Sequence, residues 1–329
     1  MDNIYIYFAV LIASFAILFK SASFFVEGAS SIARVLNISK MVVGIVLVGM
    51  ATTAPEFGAS VIAAIRGYPE IALGNAIGSV ICDDGIALAL AAIVAPTAIL
   101  INCRILKTAG LFLISIDILA YILARNGTIG RMEGVLFLVI LGLYFIFMLR
   151  KQRYSLNKDD KERDGLSGKE ENPPASKLAM LKKPILLFAV GIAGVILTCH
   201  AVIWASVKIA EHFSISKTII GLTVIAIGTS LPEISTCVTA ALKGEGEIAV
   251  GNIIGADILN VLWIIGVSSI ANPITVELNI INFAFPFMIL IVIVMLVAMR
   301  IGCRLGKIKG FILFGFYLLY IFLTLKLFA

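Results

Sequence analysis

Long apolar stretches broken by short polar ones dominate this chain. Runs at 4–23, 41–65, 71–97, 107–124, 132–149, 184–207, 218–242, 247–271, 279–299 and 308–328 are long enough to cross about 30 Å of hydrocarbon as helices. The pattern predicts an all-α polytopic membrane protein with ten transmembrane helices. The most polar break, 150–183, separates a first set of five (1–149) from a second (184–329). It contains Asn172-Pro173-Pro174 and reads as a flexible cytoplasmic linker, too short for a regulatory domain.

Composition agrees with this pattern. The 329 residues are 60% hydrophobic and 14% charged, whereas soluble domains carry about 25% charged residues. The net charge of +6 belongs to loops rather than to a nucleic-acid surface. With the N-terminus outside, 20 of the 26 Lys and Arg fall in inside segments, so both termini are expected outside a cell membrane. Only Asp2 precedes the first apolar run, which reads as an anchor rather than a cleaved signal. The five cysteines (Cys82, Cys103, Cys199, Cys237 and Cys303) form no CxxC pair and read as small buried hydrophobes.

The two halves share a repeat. From Ile32/Ile209 to Asp83/Asn260 a constant offset of 177 aligns 52 pairs without a gap, and 21 are identical. Thr52-Thr53-Ala54-Pro55-Glu56 matches Thr229-Ser230-Leu231-Pro232-Glu233, and Gly74-Asn75-Ala76-Ile77-Gly78 matches Gly251-Asn252-Ile253-Ile254-Gly255. The conserved blocks lie near 44–85 and 221–262. Five helices per copy is an odd number, so the second copy enters the membrane inverted, a plan that places substrate near the midplane between the copies.

Each copy buries a glutamate in an apolar span, where a charge is costly and usually functional. Pro55 and Pro232 have no N–H, so the carbonyls of Ala51 and Gly228 lose their helical partners. Freed carbonyls, hydroxyls and carboxylates make an all-oxygen cluster suited to hard cations such as calcium or sodium; softer metals would call for Cys and His. Ser79/Asp83 and Ala256/Asn260, four apart, share helix faces expected to look toward the glutamates. Asp84 and Asp257 lie about 100° round and are weaker candidates, with contacts to neighbouring helices or an access path as the alternatives. The alternative to a site as a whole is a kinked helix with a capped carboxylate, which the duplication disfavours.

On these residues the chain resembles the sodium/calcium exchangers of the calcium/cation antiporter superfamily, most closely the short prokaryotic members, whose repeats carry GTSLPE and then G-N-x-x-G-S-N-x-x-N/D. The resemblance covers both repeats and the ten-helix layout. It implies calcium binding at Glu56, Glu233, Thr52 and Thr229, with Thr53, Ser79, Asp83, Ser230 and Asn260 completing the cluster for sodium. The chain departs from the motif at Ala51, Ala54, Val80, Ala256 and Asp257. Ala256 lacks the hydroxyl expected to help hold an outer sodium, so a proton is an alternative coupling ion. Asp83 and Asn260 exchange the sides on which some members carry acid and amide.

The remaining polar residues have plainer readings. Asp117, in the fourth span, is read as bonded to a neighbouring helix, with a proton relay as the alternative. His200 is read as packed or capping rather than a ligand, Glu27 as an interfacial acid or an entrance residue, and Asn75 and Asn252 as partners of backbone freed near the helix starts, with direct ligation as the alternative. The function expected is alternating-access antiport of calcium against sodium, with ions as substrates and no cofactor. A cation channel would normally build its ligand ring from several subunits, while this one chain carries both halves of a site and could work as a monomer. No HExxH, GxSxG or nucleotide loop is present, so an enzyme is not expected.

Overall fold

The computed structural model describes residues 4–164, 174–213 and 226–328. Among these, nine helices are long and apolar enough to span a membrane, and a tenth, Leu231–Leu242, is shorter. We number the ten in chain order: α1 Ile4–Leu36, α2 Lys40–Ile65, α3 Pro69–Val94, α4 Cys103–Ala124, α5 Arg131–Asp164, α6 Pro174–His212, α7 Leu231–Leu242, α8 Gly246–Ala271, α9 Ile280–Cys303 and α10 Lys307–Phe328. Three boundaries differ from expectation. Helix α1 continues past residue 23 to Leu36, because its later half buries Phe25, Val26, Ala29, Ile32 and Ala33. Helices α5 and α6 extend into the expected linker, to Asp164 and from Pro174. The start of the seventh expected span lies outside the described residues; its visible part is one turn, Ala226–Thr229, a break at Ser230, and α7.

Burial sorts the helices into layers. In α3 and α8 the most apolar window is 78% and 83% buried, against 28% in α5 and α6. So α3 and α8 form the centre, and the apolar outer faces of α5 and α6 suit lipid. Small residues set the closest contacts. A Cβ on Gly44 of α2 would sit 2.7 Å from the Ile248 carbonyl oxygen of α8, and one on Gly255 would collide with the Ile45 carbonyl. Only glycine lets these two backbones approach so closely. Helices α1 and α6 form a second tight pair: a Cβ on Gly28 would lie 2.5 Å from the Phe188 nitrogen, and one on Gly194 would meet Ser21.

Two short antiparallel ribbons join the halves. Strand β1 (Ile99–Leu100) pairs with β4 (Arg304–Leu305), and β2 (Thr128–Ile129) with β3 (Ile274–Thr275). Each ribbon takes one strand from each half of the chain. Beside the β1–β4 ribbon, Cys103 and Cys303 form a disulfide. This corrects the reading of all five cysteines as buried hydrophobes; that reading fits Cys82, Cys199 and Cys237, which are buried free thiols. The bridged pair lies 200 residues apart in sequence, and only the inverted packing that pairs β1 with β4 brings it together.

Candidate cation-binding site

Glu56 in α2 and Glu233 in α7 are fully buried, as are Thr52, Thr53, Ser230, Asp83 and Asn260, and Ser79 nearly so. Each glutamate is held by a hydroxyl from the other repeat. Ser230 Oγ donates to Glu56 Oε1 at 3.0 Å, and Thr53 Oγ1 donates to Glu233 Oε1 at 3.4 Å. Thr53 and Ser230 are equivalent under the 177-residue offset, and so are the glutamates, so the two bonds are copies of one another. The other carboxylate oxygen, Oε2, has no hydrogen-bond partner in either residue.

The helices reach these positions differently. Helix α2 runs without interruption from Gly49 through Pro55 to Ile65. Pro232 instead opens α7 after the break at Ser230, where missing N–H groups cost least. Behind the glutamates, α3 and α8 each widen into a π-helical turn, Asp83–Leu88 and Asn260–Ile264, at equivalent residues. Such turns gather at functional sites because they displace backbone from the regular ladder. No pattern of residue types marked these turns in the sequence.

The cluster is close to the expected set. Ser79 Oγ donates to Glu56 Oε1 at 2.8 Å. Asp83 lies in electrostatic range of both glutamates, and Asn260 faces Glu56. Thr52 Oγ1 bonds across the repeats to Asn252 Oδ1 at 3.0 Å and back toward the Val48 carbonyl. Thr229 ends the short turn before the break and is partly buried. Among the described residues no three His, Cys, Asp or Glu side chains converge into a ready-made metal cluster. The donors near the glutamates are mainly hydroxyls and an amide, neutral oxygens of the kind hard cations accept.

Other expectations need correction. Asn75 and Asn252 bind side chains rather than freed backbone: Asn75 Nδ2 donates to Ser60 Oγ at 2.9 Å, and Asn252 Nδ2 to Cys237 Sγ at 3.5 Å. These two bonds are again equivalent under the offset, and each ties its repeat's glutamate-bearing helix to the next helix. Asp117 is fully buried, yet neither oxygen has a hydrogen-bond partner, so the expected bond to a neighbouring helix is not made. Asp84 and Asp257 lie toward each other across α3 and α8, the contact between neighbouring helices given as their alternative. His200 is exposed on α6 rather than packed. Glu27 forms an ion pair with Lys243 at 3.6 Å, as an interfacial acid would.

Known proteins match nearly the whole chain. The family described as "Sodium/calcium exchanger protein" matches residues 6–150 and 183–326. A putative antiporter, CaxA of Alkalimonas amylolytica, is 33% identical over 92% of this chain and 93% of its own length. The sodium/calcium exchanger MaX1 of Methanosarcina acetivorans is 28% identical over 95% and 97%. Among solved structures, the sodium-calcium exchanger NCX_Mj soaked with Na+ and Sr2+ superimposes with a TM-score of 0.81 at 25% identity, covering 97% of this chain and 99% of that one.

Proposed function

The chain belongs to the sodium/calcium exchanger protein family, a family of membrane cation antiporters, and from that membership we propose that it exchanges calcium for sodium, with Glu56 and Glu233 as the calcium-binding pair. The observation that carries this reading is the reciprocal bonding of the two glutamates across the repeats, each leaving one oxygen without a donor. Calcium takes six to eight oxygens. Two carboxylates, with Thr52 and Thr229 beside them, supply the charged core of such a shell. Thr53, Ser230, Ser79, Asp83 and Asn260 offer further oxygens that sodium can use when calcium has left.

Charge couples the two ions. Glu56, Glu233 and Asp83 repel one another when ionised and bare, so the protein does not carry that bare cluster through the low-dielectric interior. Calcium or sodium must fill it before access changes sides. Helices α1 and α6, locked together by Gly28, Gly191 and Gly194, slide as one body over the core of α2, α3, α7 and α8. Both halves of the site lie on one chain, so a monomer suffices, in the cell membrane with its termini outside. Each elementary charge carried across contributes about 2.3 kcal/mol per 100 mV, so three sodium ions per calcium would let the membrane potential drive calcium out.

Proton/calcium exchange is the second reading, favoured by one observation: Ala256 supplies no hydroxyl where Ser79 stands in the first repeat. Uptake of calcium-45 into proteoliposomes decides between them. Sodium coupling predicts uptake that requires internal sodium and persists without a pH gradient. Uptake that follows only a pH gradient contradicts it.

A further inference from the structure

The Cys103–Cys303 disulfide has no part in the mechanism above, and its surroundings are unlike those of a permanent staple. Cys103 opens α4 and Cys303 closes α9, so with both termini outside the two cysteines lie at the inner face. Disulfides are rare where cellular thiols are kept reduced, and those found there are usually catalytic or redox-sensing. Charge is the second observation. Arg104 and Arg304 directly follow the two cysteines, and Lys107, Arg300 and Lys307 lie close in sequence; all five are exposed. Neither 95–107 nor 299–309 contains an acidic residue. Glu245, which lines a cavity with Ile99 and Leu100, is already paired with Lys40. Cys103 is also the first residue of a 22-residue helix, at its positive end. Arginine and a helix N-terminus stabilise a departing thiolate, which makes the Cys103 sulfur a good leaving group.

The third observation is local geometry. Both cysteines are partly exposed, so a small thiol can reach them. Cys303 holds a φ of 48° beside Gly302 at 74°, a left-handed turn that non-glycine residues seldom adopt and that gathers at functional positions. Hydrogen bonds hold this turn independently of the sulfurs. Ile101 N donates to the Cys303 carbonyl at 3.0 Å, and Lys309 Nζ donates to the carbonyls of Ile301 and Arg304. The β1–β4 ribbon therefore keeps the two sulfurs close after cleavage, and the bond can form again. We propose that Cys103–Cys303 is a redox-active disulfide, opened by thiols of the inner compartment and reclosed by the reverse exchange with an oxidised thiol pair. A reductant thiolate attacks Cys303 Sγ, the S–S bond breaks, and Cys103 leaves as a thiolate that takes up a proton. A second reductant thiolate attacks the mixed disulfide, frees Cys303 as a thiol once protonated, and leaves the reductant as its own disulfide. Two electrons pass from two thiols to the cystine. Opening it releases the covalent tie between the halves while the ribbon stays. The inference rests on the inside placement proposed above and not on which ions are exchanged.

The test uses the full chain in nanodiscs without denaturant. Reduced glutathione is added, free thiols are alkylated, and the labelled cysteines are mapped by mass spectrometry. The proposal predicts that Cys103 and Cys303 become labelled in the folded protein and that oxidised glutathione reverses this. Arg104→Gln/Arg304→Gln should slow opening about threefold or more, and high salt should slow the wild-type chain in the same direction by screening. Labelling of the two cysteines that appears only after denaturation overturns the proposal, and so does an opening rate that neither the arginine variants nor salt alters. Sealed vesicles of each orientation then fix the side. Opening by external glutathione only where the inner face is exposed supports the proposal. Opening only from the opposite face overturns the inside placement and the proposal together, whereas resistance in nanodiscs overturns the proposal and leaves the placement standing.

Discussion

The two halves of this protein carry the same motif and treat it unequally. Around Glu56, two hydroxyls converge on one oxygen, Ser79 at 2.8 Å and Ser230 at 3.0 Å. Around Glu233, Thr53 stands farther off at 3.4 Å, and Ala256 offers no counterpart to the Ser79 hydroxyl. The first glutamate sits on an unbroken helix, the second just after a break. The acid of the second layer, Asp83, lies in the first half, with the amide Asn260 opposite. Duplication supplies the frame, and the substitutions give the two glutamates unequal hydroxyl surroundings. An exchanger that binds unlike ions in turn gains from that inequality, since equivalent subsites would compete for the same ion on equal terms.

The largest expected effect removes what the halves share. Glu56→Gln or Glu233→Gln takes one carboxylate from a buried cation, at a cost of about 3–5 kcal/mol by analogy with broken buried ion pairs. Calcium-45 exchange should fall at least about 100-fold in each, and near-normal exchange in either variant would break the pairing. Next is the covalent tie between the halves. Cys103→Ser should lower stability by about 2–4 kcal/mol, read as a lower Tm, and alkylation of the denatured but unreduced wild-type chain should label only Cys82, Cys199 and Cys237.

Glycine packing separates the halves at the next level. Gly255→Ala drives a Cβ into the Ile45 carbonyl, whereas among the described residues nothing lies within 4 Å of a Cβ at the equivalent Gly78. Gly255→Ala should cost about 1–3 kcal/mol of stability and Gly78→Ala much less, measured as Tm in matched nanodiscs. The smallest expected effect tests the missing hydroxyl. Ser79→Ala should cost about 1–2 kcal/mol of ion affinity, a roughly five- to thirtyfold rise in the sodium concentration for half-maximal exchange. Ala256→Ser should lower that concentration severalfold by giving Glu233 the bond that Glu56 already has.

Much of this was written in the sequence because the bilayer imposes it. A span must be long and apolar, and a glutamate repeated inside two such spans has few roles but ion binding, so the helices and the glutamate–hydroxyl cluster could be read from residue types and one offset. The disulfide could not, because Cys103 and Cys303 meet only through the inverted packing of one half on the other. The π-turns at Asp83 and Asn260 were invisible because they depend on backbone hydrogen bonding rather than composition. Helix α1 outran its apolar run because its later half packs on protein, where Ser21, Gly28 and Ser30 are as welcome as leucine.

The central claim is that one divalent ion binds between the two halves, at Glu56 and Glu233 together. The direct measurement is a crystal structure of the chain soaked with strontium, using its anomalous scattering to locate the ion. The account predicts a peak within coordinating distance of both glutamates, absent in Glu233→Gln crystals soaked alike. A strontium peak that touches only one glutamate, or one that survives Glu233→Gln in place, would contradict it.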